Sequence, residues 1–151
     1  MTRTISFNKK ARFDYEILET FEAGIVLLGH EVKSVRQGNV SIKQAYAKII
    51  SGEVWLINAH ISKWEHFTGK DYDPTRTRKL LLSRQQIDKL IGKTKEKGLT
   101  ILPLQIYIKN CKLVKVKLGI GKGKKLRDKR EQIKTRETNI MIEREFKGRN
   151  R

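Results

Sequence analysis

The clearest hydrophobic periodicity lies in the second half of the chain. Ile87, Leu90, Ile91 and Thr94 recur at helical spacing and predict a helix over residues 83–97. Ser83 followed by Gln86 supplies a capping box at its start, and Gly98 ends it. The period then changes to two. Leu102, Leu104, Ile106 and Ile108 alternate, and so do Val114, Val116 and Leu118, with Lys115 and Lys117 on the opposite face. These are two strands joined by a turn at Lys109-Asn110-Cys111-Lys112.

The first half is less regular. Residues 1–13 are basic and expected to be loose. Tyr15, Ile17, Leu18 and Phe21, then Ile25 to Leu28, predict two strands meeting near Ala23-Gly24, the second closed by Gly29. Residues 30–37 read as a short helix, with Val32 and Val35 on one face, Lys33 and Arg36 on another, and Gly38 as its stop. Residues 45–50 and 53–58 flank Ser51-Gly52, a hairpin signal, with Trp55 expected in the core. Residues 60–64 continue the sheet. Residues 65–79 lose periodicity and read as a loop carrying Gly69, Pro74, Arg76, Arg78 and Lys79.

About six short strands and two or three helices define a mainly β protein. Closure into a small antiparallel OB-like barrel with peripheral helices would remove exposed edges, and an open α+β sheet is the alternative. The expected division is a barrel over residues 1–121 and a basic C-terminal tail over 122–151. The tail holds 12 Lys or Arg against 5 Asp or Glu, and its apolar residues are sparse. It is expected to be disordered alone and helical when bound.

Charge narrows the function. The 151 residues carry 34 Lys and Arg against 16 Asp and Glu, a formal net charge of +18. Self-repulsion of this size favours a polyanionic partner, nucleic acid first and an anionic membrane second. No apolar run approaches the roughly 20 residues of a membrane span, and residues 1–10 have no apolar signal region. The single cysteine, Cys111, cannot form an internal disulfide and reads as a thiol in a strand, consistent with a reducing cytoplasm.

Catalytic chemistry finds little support. His30, His60 and His66 lack metal-ligand spacing. Gly119-Ile120-Gly121-Lys122-Gly123-Lys124-Lys125 lacks the spacing and the Ser or Thr of a nucleotide phosphate loop. Its glycines read as a hinge, as a close approach to phosphate, or as both. Glu31-Val32-Lys33 has the E-x-K form of some Mg²⁺ nucleases, with Asp14 as a second ligand. A helix would point i and i+2 in different directions, which disfavours that reading. No metal, cofactor or small-molecule substrate is expected.

Asp73-Pro74-Thr75-Arg76-Thr77-Arg78-Lys79 is more informative, because planar guanidinium forks on a Pro-restricted segment suit phosphate. With Lys9, Lys10, Arg36 and the lysines at 122–125 it outlines a phosphate-binding set. The aromatics carry no RNA-recognition signature, so structured RNA held through phosphate and shape is favoured over single-strand stacking. About eight phosphate contacts would give a log–log salt slope on the order of −5 to −7.

Several motifs in order resemble the small protein B family, the SsrA-binding proteins of bacterial trans-translation. They are Asn8-Lys9-Lys10-Ala11, Phe21-Glu22-Ala23-Gly24, Gly29-His30-Glu31-Val32-Lys33-Ser34-Val35-Arg36, Asp73 to Leu82, and Lys122-Gly123-Lys124-Lys125 with Asp128-Lys129-Arg130. The resemblance implies binding to the tRNA-like domain of transfer-messenger RNA and delivery to stalled ribosomes. Alanyl-tRNA synthetase and elongation factor Tu would be indirect partners. The generic alternative is a ribosomal or translation-factor OB protein. The resemblance marks Glu22, and Leu82 with Ser83, as positions important for RNA binding; with the cations and the motif residues above, the candidate RNA-binding set is Asn8, Lys9, Lys10, Glu22, Lys33, Arg36, Arg76, Arg78, Lys79, Leu82 and Ser83. Ser83 also fits a helix cap. The tail would enter the mRNA channel and decoding centre through Lys122, Lys124, Lys125, Arg127, Asp128, Lys129 and Arg130. Arg127 stands where the family often has an aromatic residue or His, so stacking there would use a guanidinium plane or be lost.

Overall fold

The computed structural model describes residues 2–69, 71–96 and 98–124. Along them run β1 (Thr2–Phe7), α1 (Lys9–Asp14), β2 (Tyr15–Ile25), α2 (Gly29–Arg36), β3 (Val40–Ser41), β4 (Tyr46–Ile50), β5 (Glu53–Ile57), β6 (His60–Ile61), β7 (Arg78–Leu81), α3 (Arg84–Thr94), β8 (Leu99–Lys109) and β9 (Leu113–Gly123). One antiparallel sheet has the order β1-β8-β9-β2-β7-β5-β4, and β3 pairs with β6 alone. The sheet curls until β4 approaches β8. The result is the expected OB-like barrel, mainly β, with the helices at its periphery.

Its main core is lined by Ala23, Val54, Leu56, Leu80, Ile106, Val116, Leu118 and Ile120, and Leu90 of α3 and Val35 of α2 plug into it. The capping box is present: Ser83 Oγ accepts the Gln86 N–H at 3.2 Å, and the Gln86 side chain accepts the Ser83 N–H at 3.1 Å. Both long hairpins turn through two residues at positive φ, Ser51 (53°) with Gly52 (76°) and Asn110 (54°) with Cys111 (61°). These are the geometries that match strand twist. Cys111 therefore sits exposed in a turn rather than in a strand.

A second, smaller core forms on the other face of the sheet, where α1 covers Leu102 and Leu104 with Ala11. The alternation read along 102–108 does not mark one face. A bulge between Pro103 and Gln105 inserts an extra residue, so Leu102 and Leu104 face α1 while Ile106 faces the main core. Gly119 and Gly121 belong to this packing, not to a hinge or phosphate loop. A Cβ at Gly119 would meet Leu104 Cδ1 at 2.8 Å, and one at Gly121 would meet Leu102 Cδ1 at 2.8 Å.

Other expectations are corrected by pairing between distant segments. Residues 1–13 are not loose: β1 adds to β8, and Asn8 caps α1. The two expected strands around Ala23-Gly24 are one strand, and Gly29 opens α2 instead of closing a strand. Val54 and Leu56 face the core, which places half-buried Trp55 on the opposite face of β5. Residues 60–64 contribute only the short β6, whereas the end of the expected 65–79 loop enters β7.

Candidate nucleic-acid interface

Strand register assembles a cationic outer face. Lys48 of β4 lies opposite Trp55 of β5, which lies opposite Lys79 of β7. Further along the sheet, Glu22 of β2 faces Lys117 of β9, and Lys115 of β9 faces Tyr107 of β8. All of these alternate with core residues, so they lie on the side of the sheet away from the main core. Lysines on a rigid pleated surface give phosphate contacts at fixed spacing.

Acids also lie on this face: Glu53 pairs with Lys79, and Glu22 stands among Lys109, Lys115 and Lys117. Glu22 is part exposed, with Oε2 accepting from the Tyr107 hydroxyl and Oε1 accepting from Lys109 Nζ at 3.2 Å. The Tyr107 hydrogen bond and then that of Lys109 hold its carboxyl below the usual carboxylate range. The Tyr107 phenol, desolvated and bonded to a carboxylate, is pushed up. The carboxylate is therefore ionised and fixed at neutral pH. Tyr107 was not legible as a site residue, because only the sheet brings it to Glu22.

A buried ion cluster underpins the Asp73–Lys79 segment. Glu31 of α2 has no exposed side-chain surface, and neither has Arg78. Arg78 Nε donates to Glu31 Oε2 at 2.8 Å, and its other nitrogens reach the carbonyls of Ala59 and Pro74 and the Tyr72 hydroxyl. Arg76 Nε donates to Glu31 Oε2 at 3.2 Å, Tyr72 donates to Oε2 at 2.9 Å, and the Leu28 N–H donates to Oε1 at 2.8 Å. Burial alone would raise the Glu31 carboxyl. Hydrogen bonds from Arg76, Leu28 and Arg78 outweigh it and hold the group at about 2. Burial and Glu31 push the Tyr72 phenol up to about 12. So Glu31 is consumed by donors and Lys33 points into solvent, which is not the paired presentation of an E-x-K nuclease.

The sequence-derived residues divide by exposure. Lys9, Lys10, Lys33 and Arg36 are exposed. Arg36 also ties the β8–β9 turn by donating to the Cys111 carbonyl at 3.0 Å. Lys79 is half-buried and paired with Glu53 at 3.0 Å. Arg76 keeps 29% of its side-chain surface exposed. Arg78 and Asn8 instead have inward roles. Asn8 is buried, accepts the Ala11 N–H at 3.1 Å and donates to the Pro103 carbonyl at 3.0 Å, so it fixes α1 and leaves no face for RNA. Leu82 packs partly against the main core, and exposed Ser83 is occupied as the α3 cap. Lys122 lies exposed on β9 and Lys124 follows it, donating to the Arg12 carbonyl at 3.2 Å. Lys125, Arg127, Asp128, Lys129, Arg130 and the expected tail helix lie outside the described residues.

The family model described as SmpB protein matches residues 5–148. The chain belongs to the SmpB protein family. It is 56% identical over 147 residues to an SsrA-binding protein of Geobacillus sp. (strain WCH70), covering 97% of this chain and 94% of that protein. An SsrA-binding protein of Thermosynechococcus vestitus is 51% identical over 148 residues, 97% of each chain. A solved SmpB structure, from work described as "tmRNA-SmpB: a journey to the center of the bacterial ribosome", superposes with a TM-score of 0.66 at 47% identity. That match covers 80% of this chain and 84% of the other.

Proposed function

We propose that this SmpB-family protein binds the tRNA-like domain of transfer-messenger RNA and delivers it to stalled ribosomes for trans-translation, the rescue and tagging of incomplete peptides. The observation that carries the reading is near-full-length likeness to SsrA-binding proteins in a chain of net charge +18. The outer sheet face supports it with a row of cations on a rigid surface. Phosphate contacts supply most of the affinity there, and the fixed spacing of strands selects a folded RNA over a flexible one.

The reading assigns the protein no catalytic step of its own. Exposed Lys9, Lys10, Lys33 and Arg36, with the partly exposed Arg76, Lys79, Lys115 and Lys117, contact phosphates. Arg78, Asn8 and Glu31 hold the segments that carry them. The C-terminal tail engages the mRNA channel and decoding centre, and alanyl-tRNA synthetase and elongation factor Tu act on the same RNA. The work is done in the cytoplasm, where ribosomes stall. Among the described residues no helix is long and apolar enough to cross a membrane.

A reconstituted translation system programmed with a message lacking a stop codon tests this. Adding the full chain with alanylated transfer-messenger RNA should produce tagged, released peptide, and omitting the protein should abolish the tag. Tagging that proceeds equally without the protein would refute the proposal.

A further inference from the structure

A cavity of about 550 Å³ lies where β1, the end of α2 and the β8–β9 turn meet. It is lined by Thr2, Arg3, Arg36, Ile108 and Cys111. Arg3 stands opposite Ile108 in the β1–β8 register, and Ile108 alternates with Tyr107 and Lys109, the two residues that hold Glu22. Arg3 and Ile108 therefore point to the other side of the sheet, and the cavity is separate from the Glu22 surface. Two guanidinium groups strap its rim. Arg3 Nη2 donates to the Arg36 carbonyl at 2.7 Å, and Arg36 Nη2 donates to the Cys111 carbonyl at 3.0 Å. These bonds cover two carbonyl oxygens that would otherwise repel an anion. A guanidinium carries five N–H donors, so most of each fork stays available. Among the described residues neither arginine is paired with an acid. The positive charge at this opening is thus uncompensated and held in place by the backbone.

Two guanidinium forks beside an apolar wall suit an anion that carries a ring. A fork matches two oxygens of a phosphate, and its plane also stacks on an aromatic face. Ile108, only 5% exposed, supplies the apolar wall. The volume falls within the roughly 300–1,000 Å³ of pockets that hold small organic ligands, and a bare phosphate would leave most of it unfilled. We propose that this cavity is a nucleotide pocket, in which Arg3 and Arg36 receive the phosphate and the base lies against Ile108. The ligand chemistry is a phosphate ester bearing a base. It comes either from one unpaired nucleotide of a bound RNA or from a free mononucleotide, and the experiment separates the two. The pocket does not rest on the transfer-messenger RNA reading. It adds a second, enclosed kind of contact to the open cationic face, on the side of the sheet away from Glu22.

Cys111 reports on the cavity directly, because it lines the wall, is exposed and is the single cysteine of the chain. The test follows its alkylation by neutral iodoacetamide in the full-chain protein, alone and with each probe at equal ionic strength. The probes are adenosine and guanosine monophosphates, the matching nucleosides, inorganic phosphate, and the tRNA-like domain of transfer-messenger RNA. Rates with and without probe are compared within each variant, so that a change in thiol reactivity cancels. A mononucleotide or the RNA should slow alkylation several-fold, and nucleoside or inorganic phosphate alone should not. Protection by mononucleotides assigns a free ligand, and protection by RNA alone assigns a nucleotide of the chain; either result supports the pocket. Arg3→Gln and Arg36→Gln should each raise the probe concentration for half-protection on the order of tenfold, the loss of a charge-assisted hydrogen bond. Arg36 also ties α2 to the turn, so its variant is read only if its urea midpoint is unchanged, and Arg3→Gln on the edge strand carries the test otherwise. No protection by any nucleotide or RNA overturns the proposal. So does equal protection by inorganic phosphate, or protection indifferent to Arg3→Gln in a folded protein. If the protein binds the tRNA-like domain no tighter than bulk tRNA, the proposed function falls, while the mononucleotide probes still decide the pocket.

Discussion

Replacing Glu31 by Gln should cost the barrel much of its stability. The change keeps size and leaves a polar group, but it removes the charge that neutralises Arg78, whose side chain has no exposed surface. Removing one partner of a buried pair typically costs about 3–5 kcal/mol, because the other charge is stranded. The titration of Glu31 gives an independent scale. Its carboxyl lies at about 2 in the folded protein against 4.5 as the ordinary value, and each unit is worth about 1.4 kcal/mol, so the charged state contributes on the order of 3 kcal/mol. Because the folded-state value is depressed, this contribution is complete above pH 4.5. It fades as pH falls from there through about 2, where the folded protein also binds the proton. Urea unfolding followed by circular dichroism between pH 2 and 7 checks both parts. At pH 7 the E31Q protein should be about 3–5 kcal/mol less stable. Toward pH 2 the gap should narrow, since the unsubstituted protein loses the same charge. A loss under about 1 kcal/mol at pH 7, or a gap that stays constant with pH, would refute the reasoning.

Three further outcomes follow from the same geometry. Truncation after Lys124 keeps the whole of β9 and should leave RNA binding near its full-length value while abolishing peptide tagging on stalled ribosomes. Parallel filter-binding and tagging assays check this, and equal loss of both would contradict the division of labour between barrel and tail. Ser83→Ala should lower stability by about 1 kcal/mol through the lost α3 cap, measured by urea unfolding, with RNA affinity unchanged when assayed well below the midpoint. Lys117→Ala should weaken binding to all RNAs to a similar degree and make the log–log salt slope shallower by about one, read from titrations at several salt concentrations.

Local signals in the sequence carried α2, α3 and the two hairpins, but not α1. Helix α3 announced itself by a stripe at helical spacing and by Ser83 with Gln86, and both long hairpins by turn residues between alternating runs. Each of these is decided by neighbours in sequence. What stayed illegible depends on partners far along the chain. The strand β1 exists because β8, about a hundred residues later, offers it an edge. Arg78 looked like part of a solvated loop, because the acid that cancels its buried charge is Glu31, and only the fold brings the two together. The alternation along β8 was real, but one inserted residue at its bulge moved Leu102 and Leu104 to the opposite face from Ile106. Gly119 and Gly121 resembled a flexible stretch, yet they are small because Leu102 and Leu104 press against them.

The candidate site shows the same division. Exposed cations such as Lys9, Lys33 and Arg36 could be named from composition, since a charge run on a surface helix or terminus stays in solvent wherever the chain goes. Arg78 and Asn8 could not be sorted from them, because donors used inward and donors used outward look alike in a sequence. Tyr107 gave no signal. It lies in an alternating strand like many tyrosines, and its role is defined by a carboxylate 85 positions away.

The account depends above all on a fixed cationic sheet face that prefers one folded RNA. Competition binding with the full chain, run at several ionic strengths against equal masses of bulk tRNA and ribosomal RNA fragments, tests it most directly. The tRNA-like domain of transfer-messenger RNA should displace both competitors at every salt concentration, with affinity falling along a log–log slope on the order of −5 to −7. Equal displacement by all three RNAs, or affinity indifferent to salt, would contradict the account.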